Sequence, residues 1–163
     1  MTFDELRNNC PFCDSRIDEA KFSESENFLA IYNIAPILPG HSLIIPKRHV
    51  ESLLELDDKE LYEMTMFSRD ITKTLLEIFK SSGFDWTIQE GEDAGGSIPH
   101  LHMHLVPRKS NDLTRPGDWY PLMKESEAEI IDSNTRPRMT ADEMKTIVSR
   151  IRGFLEKNKK QSR

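Results

Sequence analysis

The chain has 163 residues, 37% of them apolar and 31% charged, and a net charge of −6. That length carries one substantial core and fits a single domain over residues 1–163, while the acidic balance argues against a nucleic-acid polymer as partner, since such binding draws on a basic face that neutralises phosphates. No run of about 18 apolar residues offers a membrane span, and the opening Met1-Thr2-Phe3-Asp4-Glu5-Leu6 has no apolar signal segment, so a cytoplasmic location with no membrane partner is the expectation.

Residues 1–9 read as a polar lead-in. Cys10-Pro11-Phe12-Cys13 follows as a tight knuckle, a local geometry that lets two thiolates converge on one ion. Two cysteines are too few for a disulfide framework, which leaves a metal pair, a free thiol pair or a redox pair. Against the redox reading, no strand pattern precedes the knuckle and no helix signal follows it. Tetrahedral structural zinc takes four ligands, and the histidines can supply the missing two: His49, after Pro46-Lys47-Arg48, and His100.

Residues 28–35 and 42–46 are rich in Ile, Leu, Ala, Phe and Tyr and are separated by Pro36, Pro39 and Gly40, a pattern that predicts two antiparallel strands joined by a turn. Asn33 sits near the end of the first strand, where a turn-forming role is the plain alternative to a binding one. His41 follows Gly40 directly. A short helical turn over residues 50–56 leads to the clearest helix, which Asp57 caps with Glu60 three residues later. Leu61, Met64, Phe67, Ile71, Leu75 and Ile78 recur at spacings of 3, 3, 4, 4 and 3, one stripe for a core, and Gly83 is the expected stop.

Phe84 to Gln89 reads as a strand with Phe84, Trp86 and Ile88 on one face. The loop Gly91-Glu92-Asp93-Ala94-Gly95-Gly96-Ser97 can bring backbone amides close to an anion, and Ser97 adds a hydroxyl. Residues 111–138 hold Pro116, Gly117, Pro121 and Pro137 among acidic residues and read as a loop-rich excursion, within which Trp119 and Tyr120 could stack on a base or pack on protein. Thr140 and Glu143 form a second capping box, opening a helix with Met144, Ile147, Ile151 and Leu155 on one stripe. The basic tail from Lys157 to Arg163 is expected to fray.

Between the loop and the excursion lies Pro99-His100-Leu101-His102-Met103-His104-Leu105-Val106-Pro107-Arg108. In an extended segment side chains alternate, so the three imidazoles share one side about 7 Å apart while Leu101, Met103 and Leu105 enter a core. The histidine face is then left outside the core, and three of the chain's five histidines on it point to phosphoryl-transfer chemistry or metal ligation rather than to packing.

This row, with Asn33, Pro39-Gly40-His41, Gln89-Glu90-Gly91 and Ala94-Gly95-Gly96-Ser97, resembles the histidine-triad nucleotide hydrolases and transferases over about Cys10 to Lys109. The spacing of Asn33, Gln89 and Pro107-Arg108 is closest to the fragile-histidine-triad branch, which hydrolyses dinucleoside polyphosphates. The resemblance implies an α+β fold with an antiparallel sheet, one long helix and a C-terminal helix. It implies that His102 attacks the α-phosphorus to form a nucleotidyl-histidine, that His41 buttresses the triad from a neighbouring strand, that Asn33 contacts the ribose and that Gln89 helps bind the phosphates. His104, on the same face, can meet a phosphate oxygen or the leaving group, and Gly95 and Ser97 in the loop before the triad are the expected phosphate cradle, so that Asn33, His41, Gln89, Gly95, Ser97 and His104 are the expected substrate-binding set. It also implies that the first triad histidine, His100, turns aside to a zinc ion with Cys10, Cys13 and His49, a set that better-known members of that branch lack. A homodimer is implied by resemblance alone.

The expected function is hydrolysis or transfer of a nucleotidyl group on dinucleoside polyphosphates such as diadenosine tetraphosphate. A nucleoside phosphoramidate hydrolase, a dinucleoside polyphosphate phosphorylase and a nucleotide-binding sensor with slow turnover are the alternatives.

Overall fold

The computed structural model describes residues 9–122 and 138–161. Five strands, β1 (Lys21–Glu24), β2 (Phe28–Tyr32), β3 (Ser42–Pro46), β4 (Gly83–Ile88) and β5 (Met103–Arg108), form one antiparallel sheet in the order β1-β2-β3-β5-β4. Two long helices complete the α+β architecture: α1 (Asp58–Phe79) between β3 and β4, and α2 (Ala141–Gln161) at the end.

The sheet is apolar on both faces, and alternation sorts them. Phe28, Ala30 and Tyr32 of β2, Ile44 of β3, and Met103 and Leu105 of β5 join Met64, Ile71, Leu75 and Ile78 of α1 and Met144, Val148 and Ile151 of α2 in the main core. Leu29, Ile31, Leu43 and Ile45 point the opposite way and form a second cluster, against which Phe12, Ile17 and Ala20 pack among the described residues. The helices therefore load one face of the sheet and leave the other thinly covered.

The α1 start is as expected: Asp57 accepts from the Lys59 and Glu60 amides while Glu60 reaches back to the Asp57 amide. Its end differs. The helix closes at Lys80, which takes the left-handed conformation itself at φ 52°, and Gly83 opens β4 instead. The first predicted strand is shorter than residues 28–35, because Asn33 turns the chain by accepting the Ala35 amide on its side chain. β1 was not expected: Lys-Phe-Ser-Glu holds one buried side chain, too little periodicity to show in sequence.

The α2 helix runs through Lys157 to Gln161, with Lys159 and Lys160 in its last turn, so the expected frayed tail is helical as far as it is described. Cations at that position suit the carbonyl end of a helix. Of the expected excursion, residues 119–122 are helical and Arg108 anchors its beginning, donating to both carboxylate oxygens of Asp112 at 2.9 and 3.0 Å, to Asp85 at 2.7 Å and to the Pro116 carbonyl. Trp119 packs edge-on against Tyr120. Residues 123–137, 1–8 and 162–163, and with them parts of the predicted excursion, lead-in and tail, lie outside the described residues.

Gly40 joins β2 to β3 at φ +92°, and a Cβ there would sit 2.8 Å from Pro107 Cγ and 2.9 Å from the Phe79 ring. Only glycine fits both the dihedral and the space. The Tyr32 hydroxyl accepts the Gly40 amide at 2.9 Å, fixing the turn that delivers His41.

Candidate active site and metal cluster

β5 lies between β3 and β4, and its register places His104 opposite Leu43 on one side and Thr87 on the other. His104 therefore belongs to the thinly covered face, beside the second apolar cluster. The strand begins only at Met103, so His100 and His102 precede the paired region rather than extending a regular row. The Leu101 amide, instead of pairing in the sheet, donates to the Val50 carbonyl at 2.6 Å. That departure lets His100 turn away from its neighbours.

The hydrogen bonds fix where each imidazole carries its proton. His41 Nδ1 accepts the Ile37 amide at 3.2 Å, so the His41 proton is on Nε2, which donates to His104 Nδ1 at 2.9 Å. His104 Nδ1 is thus an acceptor, and the His104 proton is on Nε2. His102 Nδ1 donates to the His100 carbonyl at 2.7 Å, which puts the His102 lone pair on Nε2. The two rings stand 5.1 Å apart between centres. The pair therefore offers one nucleophilic nitrogen and one N–H donor side by side, an arrangement suited to attack on an electrophile and to hydrogen bonding of a departing oxygen.

The histidine face is not left open as the sequence suggested. His41, His100, His102 and His104 are all buried, with His102 only 5% exposed. Phe12 accounts for part of this cover: its ring meets those of His102 and His100 edge-on.

His100 turns its other edge to a separate cluster. Its Nε2 donates to the Pro46 carbonyl at 3.0 Å, leaving the Nδ1 lone pair aimed at Cys10 Sγ, 3.3 Å away, and Cys13 Sγ, 3.5 Å away. His49 Nδ1 lies 3.3 Å from Cys13 Sγ, and the four ligand atoms all fall within 4.8 Å of one another. Zn–S bonds of about 2.3 Å and Zn–N bonds of about 2.0 Å at tetrahedral angles set sulfur and nitrogen ligands roughly 3.5 Å apart, so the donor set fits a tetrahedral ion. The Pro46 carbonyl is the outer partner that fixes the tautomer of a ligating histidine. Burial pushes the His100 imidazole down to about 4, with the neighbouring His49 and His102 adding to the fall. Burial also pushes the Cys10 thiol up to about 11. A cation among these groups would favour thiolate and neutral imidazole together.

The remaining predicted residues surround the pair unevenly. Asn33 Nδ2 lies 3.4 Å from His41 Nε2, at the edge of the same network. Gln89 Nε2 donates to the Ala94 carbonyl at 3.0 Å and so holds the glycine loop, while its buried Oε1 has no partner among the described residues. Gly95 adopts φ +88°, and the buried Gly96 donates to the Gly91 carbonyl at 2.8 Å. A Cβ on Gly96 would lie 2.9 Å from the Gln89 carbonyl, so the loop folds tightly onto the end of β4. Ser97 is part-buried in that loop. Two contributors escaped sequence reasoning. Phe12 carries no signal of its own inside the Cys-x-x-Cys, and Glu90 binds the Ser52 hydroxyl at 2.9 Å and the Leu53 amide, tying the loop's base to the turn after His49.

Comparison with known proteins gives three informative relatives. Bis(5'-adenosyl)-triphosphatase of Dictyostelium discoideum is 30% identical over 141 residues, covering 86% of this chain and 89% of that protein. The asymmetrical bis(5'-nucleosyl)-tetraphosphatase of Schizosaccharomyces pombe is 36% identical over 101 residues, 62% of this chain and 56% of that protein. The crystal structure of a Zn-bound histidine triad family protein from Mycobacterium smegmatis superposes with a TM-score of 0.58 at 26% identity, covering 76% of this chain and 96% of that one. With residues 14–111 matching the HIT domain, more than half of its length, this chain belongs to the histidine-triad (HIT) family.

Proposed function

We propose that the protein hydrolyses dinucleoside polyphosphates through a covalent nucleotidyl-histidine. His102 Nε2 attacks the α-phosphorus, a P–N bond forms and the bridging P–O bond breaks. The departing phosphate oxygen receives a hydrogen bond, or the proton itself, from His104 Nε2. Water then attacks the same phosphorus, gives up its proton to His104 Nε2 or to solvent, releases the nucleoside monophosphate and returns the electron pair to His102 Nε2. One observation carries this reading: the chain of bonds from Ile37 through His41 to His104, beside the bond from His102 to the His100 carbonyl, assigns complementary tautomers to adjacent imidazoles.

Leu29, Ile31, Leu43 and Ile45 on the same face are buried beneath Phe12, Ile17 and Ala20, so they support the site from below. Gly95, Ser97 and Gln89 border the polyphosphate, and Asn33 lies toward the ribose. The Dictyostelium and fission yeast relatives, by name a triphosphatase and a tetraphosphatase of such dinucleotides, support the substrate class.

The cluster of Cys10, Cys13, His49 and His100 holds zinc in a structural role, where the ion cross-links the N-terminal knuckle to the segments before and after α1. A reducing compartment such as the cytoplasm keeps both thiols available for it. A homodimer forms along β4, the sheet edge that among the described residues pairs with β5 alone and carries the half-exposed Phe84.

The test is incubation with diadenosine tetraphosphate in ¹⁸O-labelled water. Label in the AMP and none in ATP supports attack at the α-phosphorus. His102→Asn is expected to retain nucleotide binding with turnover abolished, and full activity in that variant would refute covalent catalysis.

A further inference from the structure

Phe12 takes no part in holding an ion, yet it links the ion site to the reactive pair. It stands between the two cysteines, its ring centre lies 5.7 Å from that of His100 at 89° and 5.3 Å from that of His102 at 60°, and it packs against Leu29, Ile31, Leu43 and Ile45. A hydrogen bond at one corner of the His102 ring fixes its tautomer, whereas an edge-to-face contact fixes its tilt. We propose that Phe12 is the positioning residue for the His102 imidazole and the cover over it, and that an ion in the Cys10, Cys13, His49 and His100 cluster is what keeps Phe12 there.

The reasoning is geometric and rests on the proposed role of His102. With both thiolates on one ion, the knuckle closes into a ring of fixed size, and the Phe12 backbone inside it cannot travel. Without the ion, the knuckle relies on the Cys13 amide donating to the Cys10 carbonyl at 3.1 Å and on sulfur-to-imidazole contacts of 3.3 to 3.5 Å. Cys13 and His49 are both exposed, so water competes for those contacts. A second route from ion to nucleophile runs through the His100 backbone. It keeps the Nδ1 bond and does not involve Phe12, which makes the two routes separable.

Carbethoxylation by diethyl pyrocarbonate at neutral pH, read residue by residue by mass spectrometry on the full chain, reports access to each neutral imidazole. Removing the metal with a chelator is expected to speed modification of His102 by about five-fold or more, with His41 and His104 unchanged, as local opening requires. In Phe12→Ala with metal bound, shown by elemental analysis, His102 should already react at the fast rate, with no further gain on chelation. Phe12→Tyr should restore slow modification. The proposal is overturned if Phe12→Ala stays as protected as the wild type, if chelation leaves His102 unchanged, or if His41 and His104 open with it, since that is general loosening. No nucleotide enters this measurement, so inactivity toward diadenosine tetraphosphate would remove the proposed reaction and leave the outcome for Phe12 readable.

Discussion

Replacing His41 by Phe tests the tautomer chain most directly. The side chain is fully buried, and Phe keeps its planar bulk while deleting its hydrogen bonds, among them those from the Ile37 amide at 3.2 Å and to His104 Nδ1 at 2.9 Å. Each buried group left without its partner costs about 1–3 kcal/mol, so the variant should lose about 2–5 kcal/mol. At about 2–4 °C per kcal/mol for a chain of this size, Tm should fall by roughly 5–15 °C. The catalytic loss is separate: without the His41 donor the proton on His104 is no longer held on Nε2, and losing one aimed donor costs roughly 100-fold in kcat. Steady-state hydrolysis of diadenosine tetraphosphate below the new Tm should show that fall with little change in KM. If the effect passes through His104, His41→Phe should lower kcat by less than about three-fold in a His104→Ala background. Wild-type kcat in the single variant, or a full additive loss in the double one, refutes the chain.

Elemental analysis should find about one zinc per chain, and a strong chelator should lower Tm, because ion binding to the folded cluster adds to folding free energy. Unchanged melting in a protein that carries no metal would remove the zinc assignment. Acid should destabilise the metal-free protein. With His100 held at about 4 when folded and near 6.5 when unfolded, the unfolded chain binds more protons between those values. Stability is complete above about pH 6.5 and should decline by about 3 kcal/mol as the pH falls to 4, measurable as a shift in the urea midpoint, while His100→Gln should flatten that slope. Gly40→Ala should cost about 2–4 kcal/mol, from the positive φ and the overlap with Pro107 and Phe79, and a Tm within about 2 °C of wild type would contradict that packing.

What sequence could and could not show follows from how far each signal reaches. Local periodicity and capping disclosed α1, since Asp57, Glu60 and the Leu61-to-Ile78 stripe act within one helix. The same holds for β3 and most of α2, although Val148, a buried contributor, lay off the predicted stripe. The Cys10, Cys13, His49 and His100 set came from the family resemblance, since the Cys-x-x-Cys spacing alone also allows a free thiol or redox pair, and the fold brings these four residues together from three separate segments. Burial of the histidine face was not legible. It depends on Phe12 reaching across from a knuckle about ninety residues earlier, and no local pattern encodes that contact. The end of α1 at Lys80 was missed for a related reason: a lysine accepts the left-handed conformation there because the chain must turn toward Ser82, whose amide donates to the Arg108 carbonyl.

The uneven loading of the sheet leaves its two faces with unequal reserves. On the helix side, Phe28, Ile44, Leu75 and Leu105 share one large core with α1 and α2, whereas Leu29, Ile31, Leu43 and Ile45 depend for cover on the N-terminal segment that carries Phe12 and Ile17. All four are at most 9% exposed, so releasing that short segment would bare a continuous apolar strip while the helical side stayed packed.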